Sequence, residues 1–334
     1  MSLMNVLILA PFATSALERL RRRASVVYQS WLESRRLYDP EELVERLNHD
    51  KASALVVEAD FVMEETMSAA QGLRFVGVCR NSVSQVDVGA ATARGILVVN
   101  TPGRNSAAVA EHTLGLMLAI ARHIPRSHQA IVSGKWDDPL SAYVDYRGTE
   151  LAGKTAGLVG FGGIGREVAK RLLALGMRVI AYDPLVKPEA ARALGVTLVD
   201  LDTLVHEADF VSLHAPDIAE TEGTLSAKRI TAMKRTAYLI NTASAALVDN
   251  EALARALREH RIAGAALDVH ESHPLPPTSP FLSLDNVVLT PHIGGATAET
   301  VERHSRLMAD DLERFMDGLR PLHLVNPSVW KNGG

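Results

Sequence analysis

The chain has 334 residues, 47% hydrophobic and 22% charged, which is long enough for two domains. A net charge of −4 gives no electrostatic case for nucleic acid or an anionic membrane surface, and the only dense basic run, Arg21 to Arg23, reads as the solvated face of an early helix. The single cysteine, Cys79, rules out an internal disulfide, fits a reducing compartment and reads as a buried strand-end residue. No stretch approaches the length of a membrane span, and the start, MSLMNVLILAP, lacks the basic region and cleavage site of a secretory signal. The protein is therefore expected to be soluble and cytoplasmic.

Short apolar runs at 6–9, 54–57, 75–79 and 96–99 have strand length, and residues 40–48, 63–70 and 86–93 between them have helical spacing. This alternation predicts an α/β unit around a parallel sheet. Asn100-Thr101-Pro102-Gly103 breaks the pattern and is the first candidate hinge. Residues 106–122 then read as a helix apolar on most of its circumference, buried either in its own domain or against a second copy of the chain. The second option predicts a homodimer. Residues 136–147, with Trp136, Tyr143 and Tyr146, are polar and irregular and read as an extended arm or loop.

Residues 151–183, LAGKTAGLVGFGGIGREVAKRLLALGMRVIAYD, carry the most specific signal. Gly160, Gly162 and Gly165 stand at the spacing G-x-G-x-x-G, after a strand-length run at 155–159 and before a helical pattern begun by Gly163 and Ile164 and closed by Gly176. Gly160 would allow the tight turn, Gly162 a close approach of backbone to a pyrophosphate, and Gly165 close packing of helix on strand. The helix N-terminus offers free N–H donors to phosphate. Asp183 ends the second strand at the spacing expected for an acid that binds ribose hydroxyls. Pro184 and Leu185 after it supply no Arg for a 2′-phosphate, so NAD is favoured over NADP.

Further strands at 210–213, 238–241, 263–267 and 287–289, with helices at 226–233 and 250–259, complete a doubly wound dinucleotide domain. Ligands in such sheets bind beyond the carboxyl ends of the strands. That rule singles out His214, Ala215, Pro216, Thr242, Ala243, Ser244, Asp268 and His292. Pro291-His292-Ile293-Gly294-Gly295 is a second break. The last helix, 299–315, is most simply buried against the first domain, which makes that domain discontinuous, with two crossovers at a hinge over a cleft.

Together these motifs resemble the D-isomer-specific 2-hydroxyacid dehydrogenase family. The resemblance is carried by VDVGAATARGILVVNTPG from Val86, AVAEHTLGLML from Ala108, the glycine turn, DFVSLHAP from Asp209, LINTASAALVD from Leu239, GAALDV from Gly264 and LTPHIGGAT from Leu289. It implies an α/β chain of two doubly wound parallel-sheet domains: a Rossmann NAD-binding domain, 103–295, inserted in a discontinuous flavodoxin-like substrate domain, 1–102 and 296–334. It also implies NAD as cofactor, with Gly295 at the cofactor site, and a small anionic hydroxy or oxo acid as substrate. No metal, nucleic acid or membrane partner is implied. In the family a His moves a proton at the substrate oxygen, an Arg holds the carboxylate and a Glu orients the His, roles that suit imidazole and guanidinium.

His292 matches the acid/base and Asp268 the Asp near the nicotinamide. Two positions depart: Ser244 stands where the catalytic Arg is expected and His273 where the Glu is expected. The substrate loop, usually glycine-rich, reads Arg80-Asn81-Ser82-Val83-Ser84-Gln85-Val86-Asp87. Arg80 either replaces the missing guanidinium as anion clamp or is a solvated loop residue. Arg104 is expected to face the cofactor phosphates or the hinge, and Glu271 is not assumed to replace the missing Glu. Two readings follow: an NAD-dependent oxidoreductase with a rebuilt site (His292, Asp268, Ser244, His273, Arg80), or an NAD(H)-binding regulatory or sensor protein that has lost efficient chemistry.

Overall fold

The computed structural model describes residues 3–330, and the chain divides into two compact units: residues up to Arg104 together with those from Thr297 onward, and Asn105–Ala296. The first unit opens with β1 (Met4–Ile8), α1 (Thr14–Arg21), β2 (Ala24–Tyr28), α2 (Trp31–Ser34), α3 (Pro40–His49), β3 (Ala54–Val57), α4 (Glu64–Ala69), β4 (Phe75–Val78), α5 (Val88–Ala93) and β5 (Leu97–Asn100). The second begins with α6 (Ser106–Ala121), α7 (Ile124–Val132), α8 (Pro139–Asp145), β6 (Thr155–Val159), α9 (Gly163–Ala174), β7 (Arg178–Tyr182), α10 (Pro188–Arg192) and β8 (Thr197–Leu198). It continues through α11 (Leu201–Glu207), β9 (Phe210–Leu213), α12 (Ala227–Ala232), β10 (Tyr238–Asn241), α13 (Asn250–Arg258), β11 (Gly264–Leu267) and β12 (Val287–Leu289). The chain then returns to the first unit as α14 (Ala298–Met316).

The first sheet has the order β2-β1-β3-β4-β5 and the second β12-β11-β10-β9-β6-β7-β8, every pair parallel. These are the flavodoxin-like and Rossmann orders of doubly wound folds, as the family resemblance implied. Both faces of each sheet are covered, which is why the strands read as apolar runs. In the first unit Val6, Ile8 and Val56 point to the side of α1 and α14, where Leu17, Leu20, Met308 and Leu312 pack. Leu7, Leu55 and Val57, one residue out of phase, meet Leu43 and Leu47 of α3 and Met67 of α4. In the second unit α6 and α9 share one core with Ala156 and Leu158, while α11, α12 and α13 share another with Val159 and Val211.

Three expectations need correction. Residues 136–147 are not an arm without regular structure. Pro139–Asp145 is a helix, started by Asp138, whose carboxylate accepts from the N–H groups of Leu140 and Ser141, with Pro139 at the first helical position. The strands β2 and β8 were unforeseen. Both lie at sheet edges and are half-exposed or short, so neither makes a long apolar run. Finally, α6 does not lack cover within its own unit: Ala110, Met117, Ile120 and Ala121 are buried in the core it shares with β6, β10 and α9. A run of exposed apolar side chains lies on α7, α8 and the link between them, while α6 exposes Leu118. Among the described residues no helix is long and apolar enough to cross a membrane.

Candidate active site

The turn from β6 into α9 is built by mutual exclusion of side chains. Gly160 has φ +94°, and a Cβ there would lie 2.5 Å from the Ala215 nitrogen, so the strand end runs directly against the backbone after β9. A Cβ on Gly165 would lie 2.3 Å from the Gly160 carbonyl oxygen. Gly162 differs: a Cβ there would meet nothing within 4 Å, and as N-cap of α9 it offers no side chain to the first-turn N–H groups. Open space beside uncapped N–H donors is what a pyrophosphate needs. Gly163 and Ile164 begin α9, and a Cβ on Gly163 would come 3.0 Å from Ser106 Oγ.

Asp183 has a double role. Its carboxylate accepts from Phe161 N–H at 2.8 Å and Leu185 N–H at 2.9 Å, tying the glycine turn to the end of β7. Each oxygen keeps a second lone pair that a ribose hydroxyl can use. His214, bonded to Ser212 Oγ at 2.9 Å, is pushed down by burial to about 3, so it stays neutral. Pro216 follows it on the surface, its carbonyl accepting from Thr221 Oγ1. The residues therefore fit a dinucleotide: Gly162 and the start of α9 for the phosphates, Asp183 for the ribose.

His292 sits on a loop at φ +57°, in the left-handed region that a non-glycine residue occupies only when its surroundings impose it. Asp268, buried at the end of β11, supplies the constraint: Oδ1 accepts from Ile293 N–H at 2.9 Å and Oδ2 from Gly294 N–H at 2.8 Å. Thr290 Oγ1 donates to the same carboxylate at 2.6 Å, and His112 Nε2 lies 3.3 Å from it. Asp268 thus acts on the backbone of the histidine loop. His292 Nδ1 lies 3.1 Å from His273 Nε2, so the two imidazoles form a hydrogen-bonded pair. Gly295, at the end of the loop, stands against the Asn105 side chain.

Ser244 follows β10 and caps a short turn, its Oγ donating to Asp217 Oδ2 at 2.7 Å. Thr242 Oγ1 lies 3.1 Å from Thr113 Oγ1 of α6, and Ala243 N–H is held by Asn241 Oδ1. Ala243, Ser244, His270, Glu271, His273 and His292, with Asp217, Glu222 and Asn250, line one cavity of about 620 Å³ within the second unit. Its lining holds three carboxylates and three imidazoles and no Lys or Arg. Glu271 accepts from Asn250 Nδ2 at 3.1 Å, and it is His273 that meets His292 Nδ1. Asp217, His112 and Thr290 were not anticipated. Asp217 stands just after the strand-end residues His214-Ala215-Pro216, and His112 lies inside the α6 segment AVAEHTLGLML.

In the first unit Arg80 is exposed just past β4, and Cys79 before it is fully buried, burial pushing its thiol up out of the reactive range. Arg104 is committed inside this unit rather than to a cofactor. Its Nη1 lies 2.7 Å from Glu58 Oε1 and 2.8 Å from His304 Nδ1. His304, fully buried on α14, donates from Nε2 to the Pro11 carbonyl, which fixes Nδ1 as the acceptor. Among the described residues no group of three or more His, Cys, Asp or Glu is arranged to hold a metal.

A Rossmann sheet with a glycine turn, an acid at the end of its second strand and a histidine loop held at the strand ends defines a dinucleotide-binding class. Residues 114–294 match the model of the D-isomer specific 2-hydroxyacid dehydrogenase, NAD binding domain. The chain belongs to the D-isomer specific 2-hydroxyacid dehydrogenase family, and its cofactor is NAD. It is 39% identical to a D-3-phosphoglycerate dehydrogenase of Archaeoglobus fulgidus over 98% of this chain, and spans about 60% of that protein's length. It is 42% identical to a glyoxylate reductase of Thermofilum pendens, over 92% of this chain and 89% of the other. The structure of D-lactate dehydrogenase from Escherichia coli superposes with a TM-score of 0.82 at 26% identity, covering 96% of this chain and all of that one.

Proposed function

We propose that this protein interconverts a small D-2-hydroxy acid and its 2-oxo acid with a rebuilt substrate site. The observation that carries the reading is the hydrogen-bonded His292–His273 pair on a loop held by buried Asp268. Bound NAD supplies the hydride acceptor and NADH the donor for C2 of the substrate. His292 gives a proton to the oxo oxygen in reduction and removes it from the hydroxyl in oxidation. His273 orients the His292 ring through Nδ1, the task a carboxylate has in the family. With Ser244 bound to Asp217 and no Lys or Arg in the cavity lining, the substrate carboxylate needs a cation from elsewhere, and Arg80 is our assignment. A charge-assisted hydrogen bond of about 1.5–3 kcal/mol sets the expected effect of Arg80→Ala at a roughly 10- to 150-fold loss in kcat/KM. Unchanged kcat and KM would remove Arg80 from the site.

The acidic lining of the cavity favours one competing reading, a NAD(H)-binding regulatory protein. NADH fluorescence titration and NADH consumption across a panel of 2-oxo acids, phosphorylated ones included, separate the two. We expect turnover on at least one acid; tight NADH binding with no turnover on any would favour the regulatory reading.

We further propose a cytoplasmic homodimer. The dimer is supported by Ile131, Val132, Trp136, Leu140, Tyr143 and Val144 on α7, α8 and the link between them, all more than half exposed. Light scattering should give the mass of two chains, and that of one chain for the double variant Leu140→Asp, Val144→Asp. A monomeric parent would refute it.

A further inference from the structure

We propose that the edge of the first unit where α1 meets α14 is an effector site for a small polyanion, either a phosphate ester or a di- or tricarboxylate. A cavity of about 300 Å³ opens there, lined by Ser15 and Ala16 from the first turn of α1, Arg19 one turn further, and Glu302, Arg303 and Arg306 of α14. Its size is at the lower limit of small-molecule pockets, suited to an organic acid and too small for a dinucleotide. Arg19 is paired outside the lining with Asp310 and Glu313, so the cationic character comes from Arg303 and Arg306, two guanidinium groups against the single carboxylate of Glu302.

The three arginines are differently committed. Arg19 is saturated: Nη1 lies 2.7 Å from Asp310, while Nε and Nη2 both reach Glu313. It forms a fixed wall. Arg303 donates from Nε to the Arg104 carbonyl at 2.6 Å and from Nη2 to Thr300 Oγ1 at 3.4 Å, which leaves Nη1 available. Arg306, on the exposed side of α14 one turn along, makes no hydrogen bond or ion pair with any described residue, and Ser15 Oγ makes none either. The available donors are therefore a whole guanidinium, one arm of a second and a hydroxyl around one small volume. That set matches an anion with several oxygens and does not match an apolar ligand.

Arg303 also gives the site its reach. It holds the carbonyl of Arg104, the residue at which the chain leaves the first unit, and Arg104 in turn holds Glu58 at the end of β3 and His304 on α14. An anion bound at Nη1 restrains the same guanidinium whose Nε holds that carbonyl. Its occupancy then shifts the equilibrium at the crossover and with it the affinity for NADH.

The test uses the full chain at constant ionic strength, with inorganic phosphate and citrate as probes and chloride as reference. Calorimetric titration with saturating NADH, which blocks phosphate binding at the glycine turn, should show saturable binding of one probe per chain. The stronger probe identifies the ligand class. Arg306→Glu should weaken binding at least tenfold, and Ser15→Asp, which adds a carboxylate from the other helix, should do the same. Each probe that binds should change the NADH dissociation constant about twofold or more in the parent and leave it unchanged in Arg306→Glu. No saturable binding, or parent-like binding in both variants, overturns the site. Binding with the same NADH affinity overturns the effector role. Neither readout needs turnover, so a failure of the dehydrogenase assignment would leave this result standing.

Discussion

Replacing His292 by Asn is expected to lower kcat by roughly 10²- to 10⁴-fold while the NADH dissociation constant stays within about twofold, the range lost when a general acid/base is removed. Asn is the informative replacement because it tolerates the left-handed backbone of this position, φ +57°, better than other side chains do. An Ala variant would mix loss of the imidazole with a shift of the loop that Asp268 holds. The neighbouring imidazoles offer no ready substitute. His214 is kept neutral by burial, and His270 is engaged through Nε2 with the Thr290 carbonyl. His273 remains, but its Nε2 faces His292 Nδ1 rather than standing alone. Single-turnover and steady-state kinetics against the parent would check this. A kcat within threefold of the parent would show that the proton moves through another group.

Gly162 and Gly165, three residues apart in the sequence, should separate cofactor binding from stability. In Gly165→Ala the new methyl would lie 2.3 Å from the Gly160 carbonyl oxygen, a backbone atom that cannot rotate away. Overpacking against an atom that cannot move lies at the upper end of its usual range, about 3 kcal/mol, which corresponds to a fall in Tm of roughly 6–12 °C for a cooperative unit the size of Asn105–Ala296. Gly162→Ala meets nothing within 4 Å and has an ordinary negative φ. Its Tm should stay within about 3 °C, the loss coming only from the poorer N-cap. The methyl would stand in the space proposed for the pyrophosphate, so the NADH dissociation constant should rise about tenfold or more. Thermal melts with and without NADH read both effects. Equal Tm losses in the two variants, or unchanged NADH affinity in Gly162→Ala, would contradict these assignments.

The fold was legible in the sequence wherever a strand is covered on both faces. The runs that became β3, β6, β9 and β10 are fully buried, and their limits in the structure are those read from the apolar pattern. Legibility failed where burial is partial. The edge strand β2 has one fully buried residue, and α8 has none, so neither carries a hydrophobic period. For α8 the missed signal was local chemistry, Asp138 before Pro139, a helix start that needs no buried face. At the candidate site, strand-end positions were readable because parallel sheets present them together; pairings between loops were not. Nothing in the spacing of Asp217 and Ser244 announces their hydrogen bond, and nothing in the order of His112, Asp268 and Thr290 announces that they meet. Those contacts depend on how separate loops fold back over one sheet edge.

The way the ends of the first unit are stitched together bears on how the chain is made. Buried Asn326 accepts the Val98 N–H and donates to the Ile96 carbonyl and Thr92 Oγ1. Val325 N–H reaches the Val98 carbonyl, and Ser305 Oγ receives the Ala13 N–H. Until the residues after Thr297 have left the ribosome, the earliest-made sheet has no α14 over Ile8 and Val56 and no cap on its last strand. The middle of the chain has no such dependence, since both of its cores draw only on residues made between Asn105 and Ala296. A chain truncated before Thr297 would therefore keep every residue of the two nucleotide-domain cores and leave the first sheet without α14, its apolar face open to chaperones and proteases.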